Sequence, residues 1–197
     1  MDEYNKYAAL ADTIKIEDIT SNKRNQSLLK KLKDNNEDFN QMWICNEEQV
    51  CDHRDYVFDS AEDLAWLGYY LGQNTSLEEL YFNCSPPASY NSEIEVFRRG
   101  IAHNNSINTL SFRCEFSFGE SVLPMLDTFI KNNNKLEAIN VEACEFGAED
   151  ARQLSLALGG CNKSLKNFRL SESNLQDGQL VDIITALSMH PQLELMP

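Results

Sequence analysis

The sequence has few basic residues and no long apolar run. Its 17 Lys and Arg stand against 31 Asp and Glu, which gives a formal net charge of -14. Binding to a phosphate backbone or an anionic lipid surface relies on Lys and Arg displacing counterions, so this balance argues against nucleic acid as a partner. No stretch approaches the roughly 18 apolar residues of a membrane span, and the acidic, interrupted N-terminus is unlike a signal peptide. We expect an intracellular, cytoplasmic protein without a membrane span, its organelle open if a transit peptide has been removed.

The sequence also lacks the motifs that mark common active and metal sites. It contains no Gly-rich phosphate loop, nucleophile elbow or H-E-x-x-H segment. Its six cysteines include no C-x-x-C pair, so reduced thiols are expected. His53 lies near Cys51 and Asp55, with Cys45 otherwise close, but zinc sites usually need four ligands in paired spacings. We therefore expect no catalytic residue, no metal site and no cofactor.

A repeat is what the sequence does contain. Four segments share the template L-x-x-L-x-L, with the leading residues Leu77, Ile107, Leu136 and Leu165, and Leu193 is the next candidate, which gives spacings of 30, 29, 29 and 28. The next two apolar positions alternate, as is typical of a short strand. They are Leu80 and Phe82, Leu110 and Phe112, Ile139 and Val141, and Phe168 and Leu170. An earlier strand is predicted around Phe39, Met42 and Ile44.

A second pattern, with helical spacing, precedes each of these strands. Apolar residues three and four positions apart place each trio on one helical face. The trios are Leu64, Leu67 and Leu71; Ile94, Phe97 and Ile101; Leu123, Leu126 and Ile130; Ala151, Leu154 and Leu158; and Leu180, Ile183 and Leu187. Leu28 and Leu32 predict a helix in the earlier unit.

The ends of the predicted helices carry recurring residue types. Three positions after the last apolar residue come Asn74, Asn104 and Asn133. Asparagine tolerates the left-handed conformation in which helices commonly stop, so we expect it there, with Gly159 and Gly160 serving in the fourth unit. N-x-S/T sequons at several of the asparagines are interpreted as chance or turn chemistry. His103 and His190 also fall at helix ends, where an imidazolium faces the helix dipole favourably.

Each unit of about 29 residues is therefore a helix, a turn, a strand and a return loop, too small to bury its own apolar face. Stacked units bury a shared core between a parallel sheet and a layer of helices. The period and the full helices resemble the ribonuclease-inhibitor-like class of leucine-rich repeats. LLKKLKDNNEDFNQMWIC and AWLGYYLGQNTSLEELYF also resemble uncharacterised leucine-rich-repeat proteins of diatom-type algae. The resemblance implies an α/β solenoid, a horseshoe with a parallel concave sheet and convex α-helices, that binds protein and has no catalytic residues.

Two segments follow from this reading. Residues 27–197 form the solenoid of about five repeats, with an acidic insertion near residues 45–59. Residues 1–26 do not fit the repeat, and Tyr4, Tyr7, Leu10 and Ile14 predict an amphipathic helix. This segment either caps the first repeat or docks on a partner.

Strand residues between the inward apolar positions point out of the concave face. The middle column is Trp43, Tyr81, Ser111, Asn140 and Arg169; the next is Cys45, Asn83, Arg113, Glu142 and Ser171; the third is Gln41, Glu79, Thr109, Ala138 and Asn167. The candidate partner-binding residues are Trp43, Tyr81, Asn83, Arg113, Asn140 and Arg169. Adjacent exposed aromatics are typical of binding hot spots, but the inserted loop could instead bury Trp43. Arg113 and Arg169 could grip an acidic partner or pair across strands with Glu142.

Acidic residues are concentrated in one stretch. Between residues 34 and 63 lie Asp34, Glu37, Asp38, Glu47, Glu48, Asp52, Asp55, Asp59, Glu62 and Asp63, against Arg54 alone. Such a concentration either steers a basic partner or forms a solvated face, with Asp59 and Ser60 capping the next helix.

These observations predict a non-catalytic scaffold or adaptor that binds a protein partner, possibly a basic one, on its concave face. The alternative is a structural subunit of a large assembly, held through the N-terminal segment and an open C-terminal edge. An open parallel edge could pair with another chain.

Overall fold

The computed structural model describes residues 3–45, 55–83, 91–113, 122–147, 149–160 and 164–193. The helices in these ranges are α1 Glu3–Leu10, α2 Ile16–Ile19, α3 Lys23–Lys33, α4 Ala61–Gln73, α5 Asn91–His103, α6 Leu123–Asn132, α7 Asp150–Gly159 and α8 Asp177–Leu187. The strands are β1 Gln41–Cys45, β2 Asp55–Val57, β3 Glu79–Phe82, β4 Thr109–Arg113, β5 Ala138–Glu142 and β6 Asn167–Ser171. From β3 onward, one helix and one strand alternate as the repeat predicts.

All six strands pair in parallel in one sheet, in the order β2-β1-β3-β4-β5-β6. The first inward position of each repeat falls in a single lateral row, Met42, Leu80, Leu110, Ile139 and Phe168. This register confirms the predicted alignment, because a one-residue slip would turn the apolar side chains away from the core. The chain is a leucine-rich-repeat solenoid, with the sheet on one side of the core and the helices on the other.

β2 is an addition that the repeat did not predict. It lies inside the acidic insertion and pairs with β1 on the side away from β3. Tyr56 and Val57 are buried, so this short strand covers what would otherwise be the N-terminal edge of the sheet. Three residues are too few to show a periodic pattern, so the strand could not be predicted from the sequence.

The helical trios form the second wall of the core. All but two of their members are buried. Leu123 is half-buried, and Leu180 is exposed on α8. Within the described ranges α8 packs against one helix of the layer, α7, so part of its apolar surface faces outward.

The asparagines at the helix ends do something other than predicted. Asn74 and Asn133 have φ values of -76° and -98°, and Asn104 does not have a positive φ either. The left-handed residues in the described ranges are Asn35, Ala143 and Glu172. Asn74, Asn104 and Asn133 are instead fully buried and bond to the preceding repeat.

These three side chains form a ladder of hydrogen bonds between repeats. Asn104 Nδ2 donates to the carbonyls of Leu71 (2.7 Å) and Asn74 (2.9 Å). Its Oδ1 accepts from the backbone N–H groups of Ser106 (2.9 Å) and Ile107 (2.8 Å). A left-handed turn would satisfy only local groups, whereas this geometry closes the turn and links two units through one amide.

His190 occupies the same position in the last unit, three residues after Leu187. Its Nε2 lies 2.9 Å from the carbonyl oxygen of Leu158, the counterpart of the bond from Asn104 to Leu71. The ring is buried. His190, which was predicted to face a helix dipole, thus contributes a hydrogen bond between repeats. Asn162, which precedes Leu165 by three residues as His190 precedes Leu193, lies outside the described residues.

The first helix of the N-terminal segment packs on the helical layer. α1 contacts α4 and α5, and its Tyr4 and Tyr7 are buried there, Tyr7 edge-on against Trp66 at 4.8 Å between ring centroids. Leu10 is exposed. α3 runs through the boundary placed between residues 26 and 27, so the segment and the solenoid share a helix.

Candidate protein-binding surface

The three predicted columns lie across the exposed face of the sheet. Trp43, Tyr81, Ser111, Asn140 and Arg169 are lateral partners on successive strands. In the neighbouring column Arg113, Glu142 and Ser171 are partners, and Asn83 follows β3 directly. Register therefore places the six candidate residues on one face.

Cys45 departs from its predicted exposure. It is fully buried, and β2 continues the sheet beyond β1, where Val57 is the partner of Cys45. The amide of Asn83 contacts its sulfur at 3.9 Å. The exposed part of this column begins at Asn83.

Trp43 and Tyr81 stack face to face. Their ring centroids are 4.4 Å apart and the planes differ by 8°. Both side chains are half-buried. The inserted residues 46–54, which the sequence offered as a cover for Trp43, lie outside the described residues. The pair forms a flat aromatic platform, called the aromatic platform below.

The hydroxyl of Tyr81 is held at the rim of this platform. It donates a hydrogen bond to the carboxylate of Glu79, two residues earlier on β3. Burial, with this carboxylate, raises the pKa of Tyr81 to about 12. The phenol therefore stays neutral at physiological pH, and the bond fixes the ring against Trp43.

Arg113 and Arg169 are exposed on the same face. Register places Arg113 directly beside Glu142, yet no ion pair joins Glu142 to either arginine. The cross-strand pairing offered as the alternative for these residues is therefore absent. Asn140 donates to the hydroxyl of Ser111 at 2.9 Å, which orients its amide toward β4.

These side chains enclose one shallow depression of about 290 Å³. All six candidate residues line it: Trp43, Tyr81, Asn83, Arg113, Asn140 and Arg169. The aromatic platform lies at one end and Arg169, on the last strand, at the other. The arrangement offers apolar ring area, amide groups and two cations to a single ligand.

The acidic stretch is divided by the fold. Asp34, Glu37, Asp38, Asp59 and Glu62 are exposed, whereas Asp55 and Asp63 are buried. Glu47, Glu48 and Asp52 lie outside the described residues. The acidic stretch is therefore not a uniformly exposed surface, because the carboxylates of Asp55 and Asp63 lie in the interior.

Asp63 is the centre of a buried polar cluster that sequence reasoning missed. Its carboxylate accepts hydrogen bonds from the Tyr56 hydroxyl, the Asp59 N–H (3.0 Å) and the Asn25 amide (3.3 Å). Asn25 also donates to the Val57 carbonyl at 2.6 Å. The cluster thereby joins α3, β2 and α4, next to the predicted cap of α4, where the Asp63 N–H bonds to Ser60 Oγ (3.1 Å).

Burial raises the pKa of Asp63 to about 6, although its hydrogen bonds lower it. A carboxyl with a folded pKa above its unfolded value of 3.8 binds more protons in the folded chain, so the free energy of unfolding falls as pH rises through that window. We expect Asp63→Asn to remove this loss, because the amide keeps an acceptor for Asn25 and turns its N–H₂ to Tyr56. As pH rises from about 4 to about 7, the free energy of unfolding of the variant should increase by about 3 kcal/mol relative to that of the parent.

Urea unfolding at several pH values measures this gain. Glu62→Gln, at an exposed neighbouring position on α4, is the matched control. A difference between Asp63→Asn and the parent that does not change with pH would contradict the assignment.

The C-terminal end of the solenoid carries an exposed apolar surface. It comprises Leu180, Val181, Ile184 and Met189, and Val181 is 60% exposed. Phe168 and Leu170 on β6 are only half-buried, unlike their counterparts on the inner strands. Among the described strands β6 pairs with β5 alone, and residues 194–197 lie outside the described residues.

The described ranges contain no cluster of three or more His, Cys, Asp or Glu able to hold a metal ion. Cys51 and His53, which were considered above as zinc ligands, lie outside those ranges. Of the helices that the structure describes, none has the length and apolar character to cross a membrane.

Comparison with known proteins gives likeness in structure but not in sequence. No protein-family model matches the chain, and no curated protein is significantly similar to it. Among solved structures it resembles the tropomodulin C-terminal domain of Caenorhabditis elegans, with 16% identity and a TM-score of 0.58, over 84% of this chain and 92% of that one. It also resembles actin-binding site 2 of leiomodin-1, with 15% identity and a TM-score of 0.57, over 84% and 88% of the two chains. The likeness to diatom-type algal proteins gains no support. At these identities the comparisons establish that the chain shares the fold of these domains.

Proposed function

We propose that the chain is a non-catalytic scaffold or adaptor that holds a protein partner on its concave face. The observation that carries the proposal is the convergence of the six candidate side chains on one depression, with Trp43 and Tyr81 stacked at its end. An intracellular adaptor is the form we favour.

The composition of the depression supports a protein ligand. Tyr, Trp and Arg are the residues that dominate binding energy at protein interfaces. The aromatic platform is already ordered by stacking and by the bond from Tyr81 to Glu79, so little side-chain entropy is lost when a partner covers it. A depression on one sheet face suits a protruding segment of another protein.

The structural likeness suggests a first partner to test. Leiomodin-1 contributes an actin-binding site with this fold. Actin is therefore the first protein to offer to this chain, although the proposal does not depend on it.

We expect Trp43→Ala combined with Tyr81→Ala to weaken partner binding by at least about tenfold, since a single hot-spot residue contributes about 2 kcal/mol or more. Affinity purification with the parent and the double variant, followed by quantitative mass spectrometry and by titration of each captured protein, measures the loss. Tyr81→Phe is the matched control, because it keeps the stacked ring and removes only the bond to Glu79. Circular dichroism verifies that the variants are folded. Captured proteins that bind the double variant as tightly as the parent would refute the concave-face function.

A structural subunit held through its C-terminal end is the second candidate. The exposed apolar side chains on α8 favour it, as does the position of β6 at the end of the sheet among the described strands. The same purification with Val181→Asp separates the two functions. Proteins lost from Val181→Asp but kept by the double variant would support the subunit function, and the reverse pattern supports the scaffold. Deleting residues 1–26 would not be informative, because Tyr4, Tyr7 and Asn25 are buried in the fold.

A further inference from the structure

Arginines outnumber carboxylates in the lining of the concave depression. Among the described residues that line it, the charged ones are two arginines and one glutamate, Arg113, Arg169 and Glu142, and the Glu79 carboxylate lies at the rim, bonded to the Tyr81 hydroxyl. The chain as a whole carries a formal charge of -14. An excess of arginine in the lining of a depression on an acidic protein influences which ligands bind there.

The arginines are available to a ligand. Both are exposed, and neither forms an ion pair within the described part of the chain. A guanidinium group donates hydrogen bonds and accepts none, and it pairs with a carboxylate through two parallel hydrogen bonds.

We propose that the depression binds a short acidic segment of a partner protein in an extended conformation. This inference rests on the proposed concave-face function and names the chemistry of its ligand. An apolar or aromatic side chain of the segment covers the aromatic platform, and carboxylates further along it bind Arg113 and Arg169. The partner is thus acidic at this site, where the acidic stretch of the sequence had suggested a basic one.

Sheet geometry sets the length of the segment. From Trp43 on β1 to Arg169 on β6 the sheet advances four strands, which is about 19 Å at a spacing of roughly 4.8 Å. An extended chain spans this distance with about six residues at roughly 3.4 Å each. The apolar anchor comes first and the carboxylates follow over β4 to β6.

Three synthetic peptides test the proposal on the full chain. The acidic probe is Trp-Ser-Glu-Ser-Asp-Glu, the neutral probe is Trp-Ser-Gln-Ser-Asn-Gln and the basic probe is Trp-Ser-Lys-Ser-Lys-Lys, all with blocked ends. Two-dimensional NMR follows the indole N–H of Trp43, distinguished from that of Trp66 by Trp43→Phe, and the side-chain amides of Asn83 and Asn140. The acidic probe is expected to shift these signals saturably and to bind at least about fivefold more tightly than the neutral one, as charge-assisted bonds are roughly twice as strong as neutral ones.

Charge reversal supplies the second arm. Arg113→Glu with Arg169→Glu should weaken the acidic probe by at least about tenfold, whereas Arg152→Glu, an exposed position on α7, should leave its affinity unchanged. Equal or tighter binding of the neutral or basic probe, no shift with any probe, or no effect of the charge reversal would overturn the acidic ligand. A separate result would refute the concave-face function: captured proteins that bind the variant with Trp43→Ala and Tyr81→Ala as tightly as they bind the parent.

Discussion

Gly100→Ala is expected to destabilise the folded chain by about 4 kcal/mol or more, near the upper limit for a single substitution. A Cβ at Gly100 would lie 1.7 Å from the carbonyl oxygen of Gly68 on α4. A Cβ at Gly68 would in turn lie 2.2 Å from the Cα of Phe97. The opposing atoms are backbone, so α4 and α5 have to move apart, and the core between them loses its packing.

Thermal and urea unfolding measure this effect. At roughly 2–4 °C per kcal/mol for a chain of this size, the midpoint should fall by about 10 °C or more. Gly178→Ala, on α8, is the matched control, because nothing lies within 4 Å of its Cβ. Alanine there should be neutral or should stabilise the helix by up to about 1 kcal/mol. Equal stability of Gly100→Ala and Gly178→Ala would show that the two helices do not cross this closely.

Asn104→Ala should cost about 3–5 kcal/mol, because it removes a whole step of the hydrogen-bond ladder. The substitution leaves the N–H groups of Ser106 and Ile107 without the side-chain oxygen that accepts from them, whereas the Leu71 carbonyl keeps its bond from the Asn74 N–H. Each buried group left unsatisfied costs about 1–3 kcal/mol. Asn104→Asp should be at least as damaging, since it places a carboxylate against the Leu71 and Asn74 carbonyls.

Its neighbour provides the control. Asn105 is exposed, and its amide bonds only to the His103 carbonyl, so Asn105→Ala should change the free energy of unfolding by less than about 0.5 kcal/mol. Urea unfolding of the two variants against the parent decides between them. If Asn104→Ala lowered the free energy of unfolding as little as Asn105→Ala does, the ladder would not contribute to holding the repeats together.

The ladder also explains the sequons of the repeat. Asn74 and Asn104 are each followed two residues later by a serine whose N–H bonds to the asparagine Oδ1. This is the turn chemistry that the sequence analysis allowed for, with the amides fully buried. The spacing of the asparagines was visible in the sequence, but the bond to the preceding repeat was not. A side chain that satisfies groups 30 residues away gives no local pattern.

The candidate site divides in the same way. The columns of the concave face followed from strand spacing alone, because period-2 alternation and a constant repeat length fix both orientation and register. The stack of Trp43 on Tyr81 and the absence of an ion pair between Arg113 and Glu142 depend on side-chain rotamers and neighbours. From the sequence, Trp43 and Tyr81 were predicted only to be neighbours, and pairing of the arginines with Glu142 stayed an alternative.

The sequence by itself determined the repeating unit. Because one face of each helix and one face of each strand is buried, apolar residues recur with a fixed period, and local geometry alone relates that period to helix or strand. Three features depend on tertiary structure alone: the additional strand β2, the burial of Asp63 against Asn25 and Tyr56, and the close crossing of α4 and α5 at Gly68 and Gly100. Each of these depends on groups that distant parts of the chain bring together. Such contacts have no period, so no window of sequence contains them.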